Sequence, residues 1–272
     1  HRVHRRQRQM CIRDRSSMDN RNILITGAGS GIGLGMAEQL AQQGHMIWCS
    51  DVDAKRAQEA ADQIQAAGGT AQSLPLDVSQ QDQLDSIVQR CAQYPVDVLI
   101  NNAGLQHVSR LEEFPPERFA YLIQVMLTGP AMLCRTLLPS MRERNYGRII
   151  NIGSIHSLVA SPYKSAYVAA KHGLMGLTKV IALETADTDI TINTLCPSYV
   201  KTPLVEQQIA AQAKEHGLAV EQVVNEIMLK PMPKGNFIGL DEMTEYAQFL
   251  ISKAGRNVTG QALVLDGGWT AS

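Results

Sequence analysis

Short apolar runs rich in β-branched residues recur at positions 23–25, 46–49, 71–74, 96–100, 148–152, 191–195 and 262–265. Stretches of helical length separate them, and the first carries apolar residues at helical spacing, Leu34, Ala37, Leu40 and Ala41. Short buried strands alternating with helices predict βαβ units, and hence a parallel sheet covered on both faces. Gly44 is expected to close the first helix, with Pro75, Pro95 and Pro139 marking other element boundaries. No repeat, low-complexity stretch or linker interrupts the pattern. The expected fold class is α/β, a single doubly wound parallel-sheet domain over 18–272.

The pattern changes over 202–239. LVEQQIAAQAKEHG and VEQVVNEIMLK read as two amphipathic helices inserted before the last strand, ended by Pro231 and Pro233. Loops at the carboxyl ends of strands surround the ligand crevice of a doubly wound sheet, so this insertion is a candidate lid. The plainer alternative is a surface helical hairpin.

Composition narrows the function classes. No apolar run reads as approaching the ~20 residues of a bilayer span, so no membrane partner is expected. The five cysteines are scattered and in no CxxC spacing, which suits buried thiols in a reducing cytoplasm and gives no case for a disulfide frame or metal site. The formal charge of −1 is uneven: residues 1–17 carry six Arg and one Asp, and the remainder 19 basic against 25 acidic residues. A basic arm of this kind can bind nucleic acid or target a mitochondrion. However, MCIRDR at 10–15 resembles a translated adapter tag and Met18 is a natural start, so 1–17 are expected to be a non-native or disordered tail. The acidic body argues against nucleic acid as a partner.

The first strand runs into Thr26-Gly27-Ala28-Gly29-Ser30-Gly31-Ile32-Gly33. No frame fits GxGxxG; the segment fits TGxxxGxG. Glycines permit a tight strand-to-helix turn and bring backbone N–H groups and a helix N-terminus to a pyrophosphate. Gly27, Ser30, Gly31, Ile32 and Gly33 are therefore candidate cofactor contacts. Asp51, at the expected end of the second strand, can accept both ribose hydroxyl hydrogen bonds and repels a 2′-phosphate. Neither Ala28 nor Val52 supplies a compensating cation, and Lys55 and Arg56 are expected in the following helix. The cofactor expected is NAD, with Asp53 a competing ribose ligand.

Asn101-Asn102-Ala103-Gly104 after the fourth run and Tyr167-Val-Ala-Ala-Lys171 add two further motifs in order. With them the chain resembles the short-chain dehydrogenase/reductase family from about Asn20 to its end. The resemblance implies a single Rossmann domain, usually in homotetramers. It places Asp77 and Val78 beside the adenine, Asn101 in the cofactor frame, and Val200 and Thr202 at the nicotinamide amide. Gln106 after NNAG, the segment 154–161, Lys164, the segment 202–206 and the ending LDGGWT are similar to the D-3-hydroxybutyrate dehydrogenases within that family. That similarity implies a small hydroxy or keto acid whose carboxylate is held by Gln106, His156, Lys164 and Gln208. Tyr199 and Trp269 are expected to wall the short carbon chain.

Tyr167 and Lys171 are four apart, on one face of a helix. A free tyrosine, with a pKa of about 10, is a poor base near neutrality. A nearby ammonium and the cationic nicotinamide ring favour the phenolate, so Tyr167 is expected to have a lowered pKa. Tyr167 would then take the alcohol proton as hydride leaves. Ser154 would hydrogen-bond the same oxygen, and Lys171 would also hold ribose hydroxyls. Two departures stand out. Many family members carry an Asn in the proton relay where this chain has Met126, and Tyr199 stands where the hydroxybutyrate enzymes have Trp. The competing readings are a ketoacyl or sugar-alcohol reductase on the same scaffold and a non-catalytic cofactor-binding protein.

Overall fold

The computed structural model describes residues 19–272, so the basic segment 1–17 lies outside the described residues. Seven strands form one all-parallel sheet in the order β3-β2-β1-β4-β5-β6-β7. They are β1 (Asn22–Ile25), β2 (Met46–Asp51), β3 (Thr70–Pro75), β4 (Val98–Asn101), β5 (Gly147–Ile152), β6 (Ile190–Pro197) and β7 (Ala262–Leu265). The connecting helices are α1 (Gly31–Gln42), α2 (Ala54–Ala66), α3 (Gln81–Asp85), α4 (Ile87–Arg90), α5 (Pro116–Ile123), α6 (Gly129–Arg144), α7 (Ser165–Glu184), α8 (Pro203–His216), α9 (Val220–Val223) and α10 (Leu240–Ile251).

The central strands are buried along their length because both faces are covered. Ile23 and Ile25 join a core with Met36, Leu40, Met243 and Leu250 from α1 and α10. Leu24, between them, points the other way into a core with Leu122, Leu133 and Leu137 from α5 and α6. Alternate residues of one strand thus feed two hydrophobic layers. Each fully buried aliphatic side chain contributes about 1.5–3 kcal/mol.

Two expectations need correction. Pro139 lies inside α6 rather than at a boundary. A proline removes one helical hydrogen bond, but Pro139 is exposed, while Leu133, Cys134, Leu137 and Met141 anchor the buried face. The helix therefore persists, and a five-residue π-helical segment, Gln124–Thr128, joins α5 to α6. The resulting 29-residue helix, Pro116–Arg144, is long and apolar enough to cross a membrane by length and composition. It instead lends Leu122, Val125, Met126 and Leu133 to the core beneath the sheet.

The 202–239 insertion carries the two expected helices. Thr202 caps α8 by accepting the Val205 N–H at 3.3 Å, and Gly217 ends it in the left-handed region at φ 62°. Ile209, Ala213, Val223 and Met228 form a small core of their own. At the base, Lys201 N–H donates to Ile238 O at 3.0 Å and Ile238 N–H to Tyr199 O at 2.9 Å, closing the insertion where it leaves the sheet.

Candidate active site

Strand order reverses between β1 and β4, and a cleft of about 1150 Å³ opens there at the carboxyl ends of the strands. One wall is the glycine turn. Gly27 and Gly31 adopt φ of 64° and 58°, a region where a side chain is strained. A Cβ at Gly33 would lie 2.4 Å from Gly27 O, so that glycine lets α1 pack on the turn rather than facing the cleft. Ser30 precedes α1 with no side-chain cap, and the first turn holds no acid, leaving backbone N–H groups open to an anion.

Asp51 is buried at the end of β2. Its Oδ2 accepts the Gly29 N–H and its Oδ1 the Asp53 N–H, both at 3.0 Å. Asp53 is instead the cap of α2, accepting the Lys55 and Arg56 N–H groups. Arg56 sits in α2 as expected yet also borders the cleft, with its guanidinium 3.7 Å from Asp53. An uncapped helix N-terminus beside a buried carboxylate at this mouth fits a dinucleotide. Ser30, Gly31, Ile32, Asp77, Val78, Val200 and Thr202 all line the same cleft.

Asn101 does not reach it. As the last residue of β4 it is in register with Asn151 and donates to that side chain at 2.9 Å. Asn102 borders the cleft, and its N–H and that of Ala103 each donate to Thr26 Oγ1 at 3.0 Å. The NNAG motif thus stitches β4 to the glycine turn through its second and third residues.

Ser154 follows β5 and opens the 3₁₀ turn Ile155–Ser157. Its Oγ accepts the His156 N–H at 3.1 Å, while Ser157 Oγ accepts the Ser154 N–H at 3.2 Å. Tyr167 and Lys171 occupy the first turns of α7, and all three border the cleft. Lys171 Nζ donates to Ile152 O at 2.7 Å and lies 5.4 Å from the centre of the Tyr167 ring.

The electrostatics correct one expectation. Burial holds the Tyr167 phenol above its ordinary pKa, only partly offset by the Ser154 hydrogen bond. Burial also pulls Lys171 down to about 8. The His156 pKa falls to about 4, first through burial and then through the Lys164 and His172 charges. His156 is therefore a neutral imidazole near neutrality, leaving Lys164, also lowered by burial, as the cation of the pair.

The other substrate candidates divide. Gln106 and Tyr199 border the cleft. Lys164 is half-buried just before α7. Gln208 does not face the cleft: Val205, Ile209 and Ala213 set the rotation of α8, leaving Gln208 exposed and bringing Gln207 to the lining. Trp269 packs half-buried on the core, its ring centre 6.5 Å from that of Tyr199. Met126 is buried in the π segment, where a Cβ on Gly104 would sit 3.5 Å from its sulfur.

Residues 21–213 match the family model described as short chain dehydrogenase. The chain is 45% identical over 261 residues to a D-beta-hydroxybutyrate dehydrogenase of Cupriavidus necator, covering 93% of this chain and 99% of that protein. It is 42% identical over 252 residues to the Rhizobium meliloti enzyme of the same name, with 91% and 98% covered. Among solved structures, it is similar to one described as an NAD(P)-dependent gluconate 5-dehydrogenase from Beutenbergia cavernae with bound NADP. That match has a TM-score of 0.83 and 32% identity, and covers 94% of this chain and 99% of that one. With its seven-stranded sheet, glycine turn and Ser154–Tyr167–Lys171 constellation, the chain belongs to the short-chain dehydrogenase family.

Proposed function

We propose that this protein catalyses the NAD-dependent oxidation of (R)-3-hydroxybutyrate to acetoacetate, and the reverse. The observation that carries the reading is one constellation: Ser154, Tyr167 and Lys171 border the same cleft, His156 Nδ1 lies 3.4 Å from Ser154 Oγ with its ring edge-on to Tyr167, and the Lys164 charge acts on His156. NAD supplies the hydride acceptor. Asp51 takes the adenosine ribose and excludes a 2′-phosphate by charge; the turn at Gly27, Ser30, Gly31 and Ile32 takes the pyrophosphate; Asp77 and Val78 face the adenine, and Val200 and Thr202 the amide. Lys171 orients the ribose hydroxyls. Tyr167 exchanges the proton of the substrate hydroxyl, and Ser154 donates to the same oxygen.

Lys164 pairs with the substrate carboxylate, and neutral His156 and Gln106 donate hydrogen bonds to it. Gln208 comes to this cluster only if α8 turns inward, the movement expected of a lid. Tyr199 and Trp269 wall the carbon chain. Leu183 and Val180 on α7, with Tyr246 and Phe249 on α10, are exposed apolar residues that suit a homotetramer. The described cysteines are free and buried, which suits a cytoplasmic setting in ketone body metabolism.

Lys164→Ala is expected to raise KM for 3-hydroxybutyrate by about tenfold or more, the loss of one charge-assisted contact of ~1.5–3 kcal/mol. It should change KM for an uncharged secondary alcohol little. Equal losses on both substrates would remove the carboxylate role and favour a reductase of uncharged ketones.

A further inference from the structure

Among the described residues other than glycine, Asn145 and Tyr163 hold a positive φ, at 49° and 69°. Asn145 ends α6, where a left-handed residue is ordinary and asparagine suits it. Tyr163 has no such setting. That region is disfavoured for a bulky residue with a Cβ. The side chain recovers little by packing, since it is exposed, with the Arg110 guanidinium 5.8 Å from the ring centre.

The chain on either side imposes the conformation. Two residues upstream, Ser161 Oγ lies 2.7 Å from His156 Nε2. One residue downstream, Lys164 O accepts the Val168 N–H at 2.9 Å in the first turn of α7, next to Tyr167. Pro162 and Tyr163 alone bridge these anchors, and the proline ring fixes its own φ near −65°. The reversal therefore falls on Tyr163, the third place of the turn Ser161-Pro162-Tyr163-Lys164, where glycine or asparagine is usual. From there the Tyr163 carbonyl accepts the Ser109 N–H at 2.9 Å. This bond ties the segment that carries Gln106 to the segment that carries Lys164.

A strained backbone without compensating packing marks a place that the surrounding structure holds for a purpose. Resting on the functional reading above, we propose that the left-handed backbone of Tyr163 is the positioning device of the carboxylate site, setting Gln106 against the Lys164–His156 pair. Neither Tyr163 nor Ser109 borders the cleft, whereas Gln106 does, so Tyr163 acts through those groups. A negative φ at 163 swings the carbonyl away from Ser109 and moves Lys164 relative to His156. A substrate without a carboxylate uses none of these three groups.

The test compares four variants by KM for (R)-3-hydroxybutyrate, KM for an uncharged secondary alcohol, and Kd for NAD by fluorescence titration. Tyr163→Pro, which fixes φ near −65°, should raise KM for the acid about tenfold or more. It should leave the alcohol KM and the NAD Kd unchanged. Tyr163→Val, a milder change at a β-branched residue, should shift the acid KM in the same direction by a smaller factor, and carries the test if the proline variant does not fold. Tyr163→Gly and Tyr163→Asn, which tolerate the left-handed region, should stay within about twofold of wild type. An unchanged acid KM in the proline or valine variant would overturn the proposal. So would a rise in the glycine and asparagine variants equal to that of proline, the mark of a role for the ring, or an equal loss on the alcohol, the mark of general disruption. A wild-type enzyme that oxidises no hydroxy acid would instead overturn the functional reading on which the proposal rests.

Discussion

Replacing Tyr167 with Phe should lower kcat by about 10³-fold, or ~4 kcal/mol of transition-state stabilisation, with NAD affinity within about twofold of wild type. The substitution removes one hydroxyl and keeps the ring. The half-buried ring packs in the second core and meets the His156 ring edge-on, centres 6.0 Å apart at 79°, so the fold should be retained. What disappears is the only group in the Ser154–Tyr167–Lys171 set that can alternate between neutral acid and base with Ser154 as its partner. Kinetics paired with NAD titration by fluorescence separate the two effects. A variant retaining a tenth or more of wild-type kcat would assign the proton chemistry to another residue.

Asp51→Asn should shift the preference for NAD over NADP by on the order of 10²-fold in kcat/KM. Asn keeps one acceptor oxygen for the Gly29 or Asp53 N–H that Asp51 now binds, limiting collateral movement of the turn. It removes the negative charge, which makes hydrogen bonds worth ~1.5–3 kcal/mol to a ribose and repels a 2′-phosphate. Arg56, bordering the cleft and only loosely held by Asp53, is then the nearby cation for that phosphate. Parallel kcat/KM measurements with the two cofactors give the ratio. If it does not move, selection resides elsewhere in the cleft.

Features depending on local spacing were legible in the sequence. The strands appear within about two residues of the apolar runs, because a buried parallel strand must be apolar on both faces. TGxxxGxG marked the turn, and the four-residue step from Tyr167 to Lys171 marked one helix face. Features depending on register, rotation or burial were not. Which asparagine of NNAG faces the cleft follows from the pairing of Asn101 with Asn151. Whether Gln207 or Gln208 faces it follows from the stripe through Ile209 and Ala213. Pro139 could stay in a helix because its side faces solvent. The raised Tyr167 and the neutral His156 are consequences of desolvation, which no spacing of residues encodes.

The most direct test is NADH formation by the purified protein with each enantiomer of 3-hydroxybutyrate. Rapid NADH formation with the (R) acid, and little with the (S) acid, is the expected result. An active, NAD-binding preparation that turns over neither would contradict the proposed substrate while leaving the fold and family in place.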